Sequence, residues 1–102
     1  MNLLNDVKNR VVTSNAMDVL ESKHGGWVYS TEHVRRLMEK FSSGDFGDIP
    51  QEDIETNQQS IKDKGMVMGV YPLDPREPAA DKVWIILDPG HETVTVVLPE
   101  DY

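Results

Sequence analysis

The chain has 102 residues, no cysteine and a net charge of −8, from 18 acidic and 10 basic residues. This length is that of one domain, so we expect residues 1–102 to share a single modest core. The lack of cysteine excludes disulfides and thiolate zinc sites, and no apolar run approaches the ~18 residues of a membrane span. The start, MNLLNDVKNR, also lacks the apolar segment of a signal peptide. These features predict a cytoplasmic protein that does not enter a membrane.

The negative charge is concentrated in the second half of the chain. Residues 1–42 carry five acidic and six basic side chains, whereas residues 43–102 carry thirteen acidic and four basic ones, a net −9. Direct nucleic-acid binding is disfavoured, because it requires a clustered basic surface. The asymmetry favours a cationic partner that is attracted to the second half. The simplest alternative is an acidic surface that only keeps the protein soluble.

The first half of the chain predicts helices. Residues 3–12 are ambiguous, because their apolar spacing fits one helical face while the β-branched valines at their end fit an extended segment. A first helix follows, capped by Thr13 or Ser14, and stops at the glycine pair. Residues 27–29 predict an extended link. A second helix, from Ser30 or Thr31, then has the strongest apolar stripe of the chain, formed by Val34, Leu37, Met38 and Phe41.

The stretch GDFGDIPQED, residues 44–53, holds four carboxylates between the second helix and a third. Asp48 begins a capping-box pattern with Gln51, and Pro50 fits the first helical turn. The carboxylates that follow lie where the helix dipole favours anions; they are Glu52, Asp53 and Glu55. We therefore expect a surface helix from Asp48 to about Lys64, with its polar residues 57–59 largely exposed.

The last third of the chain changes to strand patterning. Runs rich in β-branched and aromatic residues occupy residues 66–71, 82–87 and 93–98. Turn-forming residues between the last two runs predict an antiparallel hairpin, and the middle run is apolar on both faces, as suits a central strand. The sequence predicts an α+β fold, in which two or three N-terminal helices pack on a C-terminal three-stranded antiparallel β-meander.

These motifs resemble those of a family of small uncharacterised proteins carried by bacterial mobile elements and phages. The family pattern resembles GDWGD, a following acidic pair, WIIT and TTVLLPEEY. The matching stretches here are GDFGD at residues 44–48, VWIIL at residues 83–87 and TVTVVLPEDY at residues 93–102. The likeness covers most of residues 10–102, and Phe46 stands where the family usually has Trp. The resemblance implies a mobile-element setting and no particular activity.

The predicted function is that of a small non-enzymatic interaction protein without a cofactor. Its acidic second half docks on a basic host or phage protein, for example the nucleic-acid groove of a host-defence enzyme that it inhibits, where carboxylates replace phosphates. The predicted contact residues are Asp45, Phe46, Asp48, Glu52, Asp53 and Glu55, with Phe46 as an apolar anchor. The alternative for Phe46 is a ring folded back between the second and third helices, because large aromatic side chains more often lie inside.

A hydrolase of a small substrate is the alternative function. The chain has no GxSxG turn, P-loop or catalytic cysteine. Calcium or magnesium suits a set of carboxylates such as Asp45, Asp48, Glu52 and Asp53, although their spacing matches no EF-hand. His91 beside Glu92 is the candidate general base, but each of the three histidines fits better as a surface or capping residue.

A second alternative comes from the order of the predicted elements. Helices followed by an antiparallel meander resemble ribosome-associated mRNA-interferase toxins, which hold RNA on a basic surface. The second half of this chain has only four basic residues. The alternative is therefore a toxin-like fold without RNA-cleaving chemistry, since a fold by itself does not determine a function.

Overall fold

Three α-helices and a four-stranded sheet form the part of the chain that the computed structural model describes, residues 2–24, 27–73 and 81–101 without the side chains of residues 23, 24 and 27–31. A short 3₁₀ turn, Pro99–Asp101, follows the last strand. The elements in chain order are β1 (Asn9–Val12), α1 (Ser14–His24), α2 (Trp27–Ser42), α3 (Gln51–Asp63), β2 (Val67–Pro72), β3 (Lys82–Leu87) and β4 (Thr93–Val97).

The strands are ordered β1-β4-β3-β2 in one mixed sheet. β2 pairs with β3 and β3 with β4 in antiparallel fashion, as predicted. β1 then adds a parallel strand beside β4, with Asn9 opposite Thr93 and Val12 opposite Val96. The α+β class is therefore confirmed, and the predicted three-stranded sheet is wrong. The extended alternative for the end of residues 3–12 is correct, and this segment supplies the fourth strand.

The hydrophobic core lies between one face of the sheet and helices α1 and α2. Every second side chain of each strand points to this face. The buried sheet residues on it are Val67, Tyr71, Val83, Ile85, Leu87, Val94 and Val96. The buried helix residues packed against them are Ala16, Leu20, Val34, Leu37, Met38 and Phe41. The apolar stripe predicted for the second helix is therefore confirmed.

The starts of the first two helices follow local hydrogen bonding. The Thr13 hydroxyl accepts the Ala16 N–H at 3.2 Å, so Thr13 is the cap of α1. α2 begins at Trp27 rather than at Ser30 or Thr31, and the predicted extended link over residues 27–29 is wrong. An established helix gains one hydrogen bond for each residue added, which favours this extension.

No helix in the described residues is both long enough and apolar enough to span a membrane.

The third helix starts later than predicted and ends where predicted. α3 begins at Gln51, after Pro50, which has extended backbone (φ −69°, ψ 161°) and provides no side-chain cap. The predicted capping box from Asp48 is wrong, because the Asp48 side chain lies elsewhere, as described below. At the other end Lys64 adopts a left-handed conformation (φ 58°), and the Gly65 N–H donates to the Ser60 carbonyl at 2.9 Å.

Candidate docking surface

The acidic loop before α3 is fixed to the edge of the sheet. The Val70 N–H of β2 donates to the Phe46 carbonyl at 3.0 Å, and the Asp48 N–H donates to the Val70 carbonyl at 2.8 Å. Gly47, between them, has φ +73°, and a Cβ at this position would lie 2.0 Å from the Val70 oxygen. Only glycine tolerates both the conformation and the close approach. The loop therefore presents its side chains from a backbone that β2 holds in place.

Phe46 lies beneath this loop and is not displayed on it. Its side chain is 6% exposed, and its ring meets the ring of Phe41 edge-on, with centroids 5.6 Å apart. Beside it the Tyr71 hydroxyl donates to the Asp45 carbonyl at 2.8 Å. Burial raises the pKa of the Tyr71 hydroxyl well above its usual value, and the Asp45 carboxylate adds to the shift. The structure thus places Phe46 in the core, which corrects its prediction as a surface anchor.

The two loop carboxylates are exposed and have different local partners. Asp48 Oδ2 forms an ion pair with Lys82 Nζ at 2.8 Å. This ion pair replaces the helix-capping role that the sequence predicted for Asp48. Asp45 Oδ1 accepts the Gly47 N–H at 3.1 Å, which fixes the turn of the loop in the manner of an Asx turn. Asp45 therefore still exposes negative charge, whereas the charge of Asp48 is partly compensated.

The three helical carboxylates, Glu52, Asp53 and Glu55, are exposed and spread around α3. With 3.6 residues per turn, Asp53 and Glu55 lie on opposite flanks of the helix and Glu52 lies on its outer side. No side chain in the described residues forms an ion pair with any of the three. The sequence therefore predicted their exposure correctly, but these carboxylates do not converge on one point.

No cation site forms from the predicted carboxylates. In the described parts of the chain, no group of three or more His, Cys, Asp or Glu residues is placed to hold a metal ion. The proposed ligand set of Asp45, Asp48, Glu52 and Asp53 is divided between the loop and two sides of a helix, so it does not form a coordination sphere. The metal-dependent hydrolase has no support in this geometry.

His91 has a structural role at the β3–β4 hairpin. Its ring is buried, and Nε2 lies 2.7 Å from the Gly65 carbonyl. Because a carbonyl only accepts, Nε2 carries the proton of this bond. Gly90 adds a bond from its N–H to the Lys64 carbonyl at 2.8 Å, so the hairpin is fastened to the end of α3. Glu92 pairs instead with Lys8, at 3.2 Å. His91 is therefore neither a surface histidine nor a general base with a carboxylate partner.

The outer edge of β2 is closed by the acidic loop and by α3. Asn57 of α3 is 5% exposed; its Nδ2 donates to the Met68 carbonyl at 2.8 Å, and its Oδ1 accepts the Met68 N–H at 3.2 Å. Val70 is bonded to the loop, and Pro72 has no N–H. The prediction that residues 57–59 are largely exposed holds for the two glutamines and is wrong for Asn57. Its amide occupies the place of a neighbouring strand.

The second face of the sheet is lined mainly by apolar side chains, most of them buried or half-buried. The buried apolar residues described on α1 and α2 belong to the core on the first face, whereas the buried Ile86 and Val97 stand outside that core. The two large apolar residues that are most exposed, Val11 at 42% and Met66 at 40%, lie at opposite edges of this second face. We call this surface the second face; its residues are Val11, Met68, Val70, Trp84, Ile86, Thr95 and Val97.

The second face and the acidic helix adjoin at β2. Asp53 and Thr56 line a concavity of about 150 Å³ together with Asn57, Met66 and Met68. Two further concavities measure about 180 and 210 Å³. All three are smaller than the ~300–1,000 Å³ of pockets for drug-sized ligands.

Comparison with known proteins adds no assignment. No protein-family model, curated protein or solved structure matches the chain. Its function is therefore inferred from the acidic loop, α3 and the sheet.

Proposed function

We propose that this protein is a small interaction protein that binds a basic surface of another protein. The contact side begins at the acidic loop, residues 44–50, and continues along α3. The observation that carries the proposal is the set of exposed carboxylates on a fixed backbone, of which those on α3 have no ion-pair partner in the described chain. They are Asp45, Glu52, Asp53 and Glu55.

Unpaired carboxylates keep their negative potential directed into solvent, because no neighbouring cation cancels it. A partner's lysines and arginines gain charge-assisted hydrogen bonds to them. Such pairs raise the association rate and make it sensitive to salt. The fixed loop adds specificity, since the carboxylates lose little conformational freedom when they are bound.

The proposed partner is a cytoplasmic protein with a nucleic-acid groove, such as a host-defence enzyme. Such a groove is lined with cations that neutralise phosphates, and carboxylates on a protein surface offer the same charge. The resemblance to proteins of mobile elements and phages supports this setting. In this proposal, the protein occupies the nucleic-acid groove of its partner and thereby excludes nucleic acid.

Capture from bacterial lysate tests the proposal. The tagged protein is immobilised, washed at about 0.05 M salt and eluted at about 0.5 M, where the Debye length falls roughly threefold. We expect a basic, nucleic-acid-handling protein in the eluate, identified by mass spectrometry. The dissociation constant of the purified pair is then measured by calorimetry.

Two matched double variants distinguish the proposed site from overall charge. Asp45→Asn with Asp53→Asn removes two charges from the contact side, and Asp6→Asn with Asp18→Asn removes two exposed charges from the first half. The first pair is expected to weaken binding by about tenfold, or 1.4 kcal/mol, and the second to leave it nearly unchanged. Equal affinity of the two double variants would refute the assignment of the site.

A further inference from the structure

The outer edge of β1 is the sheet edge that no described residue closes. β1 is the last strand in the order β1-β4-β3-β2, so it has a neighbour on one side only. Asn9 and Thr13 donate their N–H groups to carbonyls on the β4 side. Backbone groups alternate in direction along a strand, so those of Arg10 and Val12 point away from β4. In the described chain no backbone hydrogen bond closes this outer side.

This edge is also exposed to solvent. Asn9, Arg10 and Val11 are exposed along it, and Val11, at 42%, is one of the two most exposed large apolar residues described. The edge of β2, by contrast, is closed by Asn57 and the acidic loop. A strand edge with free N–H and C=O groups is a ready template for another strand. β1 therefore has the features of a pairing surface.

We propose that two copies of this chain pair along the outer edges of their β1 strands and form a dimer with one continuous sheet. The two strands are antiparallel and are related by a two-fold axis, which brings the same surface of each copy together. This inference does not depend on the proposed function.

One register satisfies the backbone and the side chains together. With Val11 opposite the same residue of the second copy, Arg10 of each strand lies opposite Val12 of the other, and each such pair exchanges both of its N–H···O bonds. The two exposed Val11 side chains then cover each other across the axis. A shift that sets Arg10 opposite itself puts two cations face to face, which costs free energy. The opposite shift pairs Arg10 with Ser14, where α1 begins.

The distribution of charge permits this pairing. Residues 1–42 carry six basic and five acidic side chains, a net +1, whereas the net −9 lies in residues 43–102. Beside β1, Arg10 lines a concavity together with Arg35 and Glu39 of α2, and Arg35 forms an ion pair with Glu39. The surface at this edge therefore carries both signs of charge, and a second copy meets no single-sign field there.

Pairing at β1 leaves the acidic contact side free. The acidic loop and α3 lie at β2, which is the opposite edge of the four-stranded sheet. At ~4.8 Å between neighbouring strands, the two β2 strands of the dimer are about 34 Å apart. The dimer thus carries one acidic surface at each end of the joined sheet.

Sedimentation velocity over about 5–500 µM protein tests the pairing. Strands of four residues form a small interface, so we expect the sedimentation coefficient to rise with concentration within this range. Arg10→Pro removes one outward N–H and leaves the bonds to β4 in place, since proline is tolerated at a sheet edge. It should weaken dimerisation by about tenfold or more. Arg10→Gln loses the same charge but keeps the N–H, and it should dimerise nearly as well as wild type. Circular dichroism verifies that both variants are folded.

Cross-linking through Val11→Cys tests the register and needs no change in the backbone. The chain has no cysteine of its own. In the proposed register the two Cα atoms at position 11 are ~4.5 Å apart, within the ~4.4–6.8 Å range of disulfides. With oxidised glutathione as the oxidant, Val11→Cys should form a covalent dimer about tenfold faster than Gln58→Cys, an exposed control on α3.

Any of three results would overturn the inference. A wild-type chain that stays monomeric up to about 500 µM does not use the β1 edge for a second copy. A dimer that Arg10→Pro dissociates no more than Arg10→Gln does is formed elsewhere on the surface. Equal cross-linking rates for Val11→Cys and Gln58→Cys exclude the register. None of these measurements depends on capture of a basic partner, so the proposed function stands or fails separately.

Discussion

Asn57 provides the sharpest test of how the edge of the sheet is held. Its side chain makes two hydrogen bonds with the main chain of Met68, at 2.8 and 3.2 Å. Each is worth about 1 kcal/mol net, and a buried main-chain group left without a partner costs about 1–3 kcal/mol. Asn57→Ala removes both bonds at once. We therefore expect a loss of about 2–4 kcal/mol in the free energy of unfolding.

Asn57→Asp adds a signature that a simple loss of packing does not produce. The carboxylate still accepts the Met68 N–H, but it repels the Met68 carbonyl. This repulsion and the burial raise the pKa of the new side chain in the folded state. A raised pKa means that stability is greatest below pH ~4, where the carboxyl is protonated and donates, and falls as the pH rises. The variant should therefore approach wild type at low pH.

Urea unfolding followed by circular dichroism measures both effects. With m-values of about 1–3 kcal/mol/M, the expected loss of about 2–4 kcal/mol for Asn57→Ala moves the midpoint by roughly 0.7–4 M. Gln58→Ala, at an exposed neighbouring position, is the control and should change stability by less than about 0.5 kcal/mol. If Asn57→Ala matched this control, or if Asn57→Asp showed the pH dependence of wild type, the argument that Asn57 closes the sheet edge would be wrong.

Three further substitutions, with Gly90→Ala as a control, test the loop and its support. Gly47→Ala should lower the free energy of unfolding by about 2 kcal/mol or more. Gly90 is also at positive φ, but a Cβ there would have no atom within 4 Å, so Gly90→Ala should lower it by only about 1 kcal/mol. Equal losses for the two variants in thermal unfolding would contradict the steric argument. Tyr71→Phe should cost about 1 kcal/mol at neutral pH. Burial raises the pKa of Tyr71 in the folded protein, so the unfolded chain releases the hydroxyl proton at lower pH than the folded protein does. The stability of the wild type therefore falls above pH ~10, by up to 1.36 kcal/mol per pH unit. Urea titrations at pH 9 and 11 should show a smaller fall for Tyr71→Phe. Asp48→Asn removes only an exposed ion pair with Lys82 and should cost less than about 1 kcal/mol in the same assay, so a larger loss would show that this pair holds the loop.

The strands of the meander were predictable because their signal is local. In TVTVVL, residues 93–98, the alternate positions Val94, Val96 and Leu98 are all apolar, and the structure buries them. KVWIIL is apolar on both sides and occupies an interior position in the sheet. Patterns of period two report which residues face a core without reference to the rest of the fold. The stripe of α2 was readable for the same reason, with a period of 3.6.

The two features that the sequence did not predict are the pairing of β1 and the burial of Asn57. Both depend on contacts with parts of the chain that are distant in the sequence. β1 has four residues, and its only apolar ones are Val11 and Val12, so no alternation distinguishes it from a loop. Asn57 stands in the polar run NQQ, and its burial follows from the position of α3 beside an otherwise unpaired strand edge. Neither arrangement is encoded within one helix or strand.

The candidate site was only partly readable. The exposure of the carboxylates followed from their position at a helix start, whereas the burial of Phe46 depends on Phe41 in the preceding helix. The second face did leave a signal, because VWIIL is apolar on both sides. In the sequence, this pattern indicates a central strand. It also indicates that the second side of the sheet is apolar, and on that side Ile86 is buried and Trp84 half-buried.

The parallel pairing of β1 with β4 sets the order in which this chain can complete its fold. Asn9 and Thr93, whose side chains are joined by a hydrogen bond, are 84 residues apart. Closing a loop of this length costs about 4 kcal/mol of chain entropy. During synthesis β1 leaves the ribosome first and its partner strand last. A nascent chain interrupted before β4 therefore carries β1 as an unpaired strand, open to pairing with other chains.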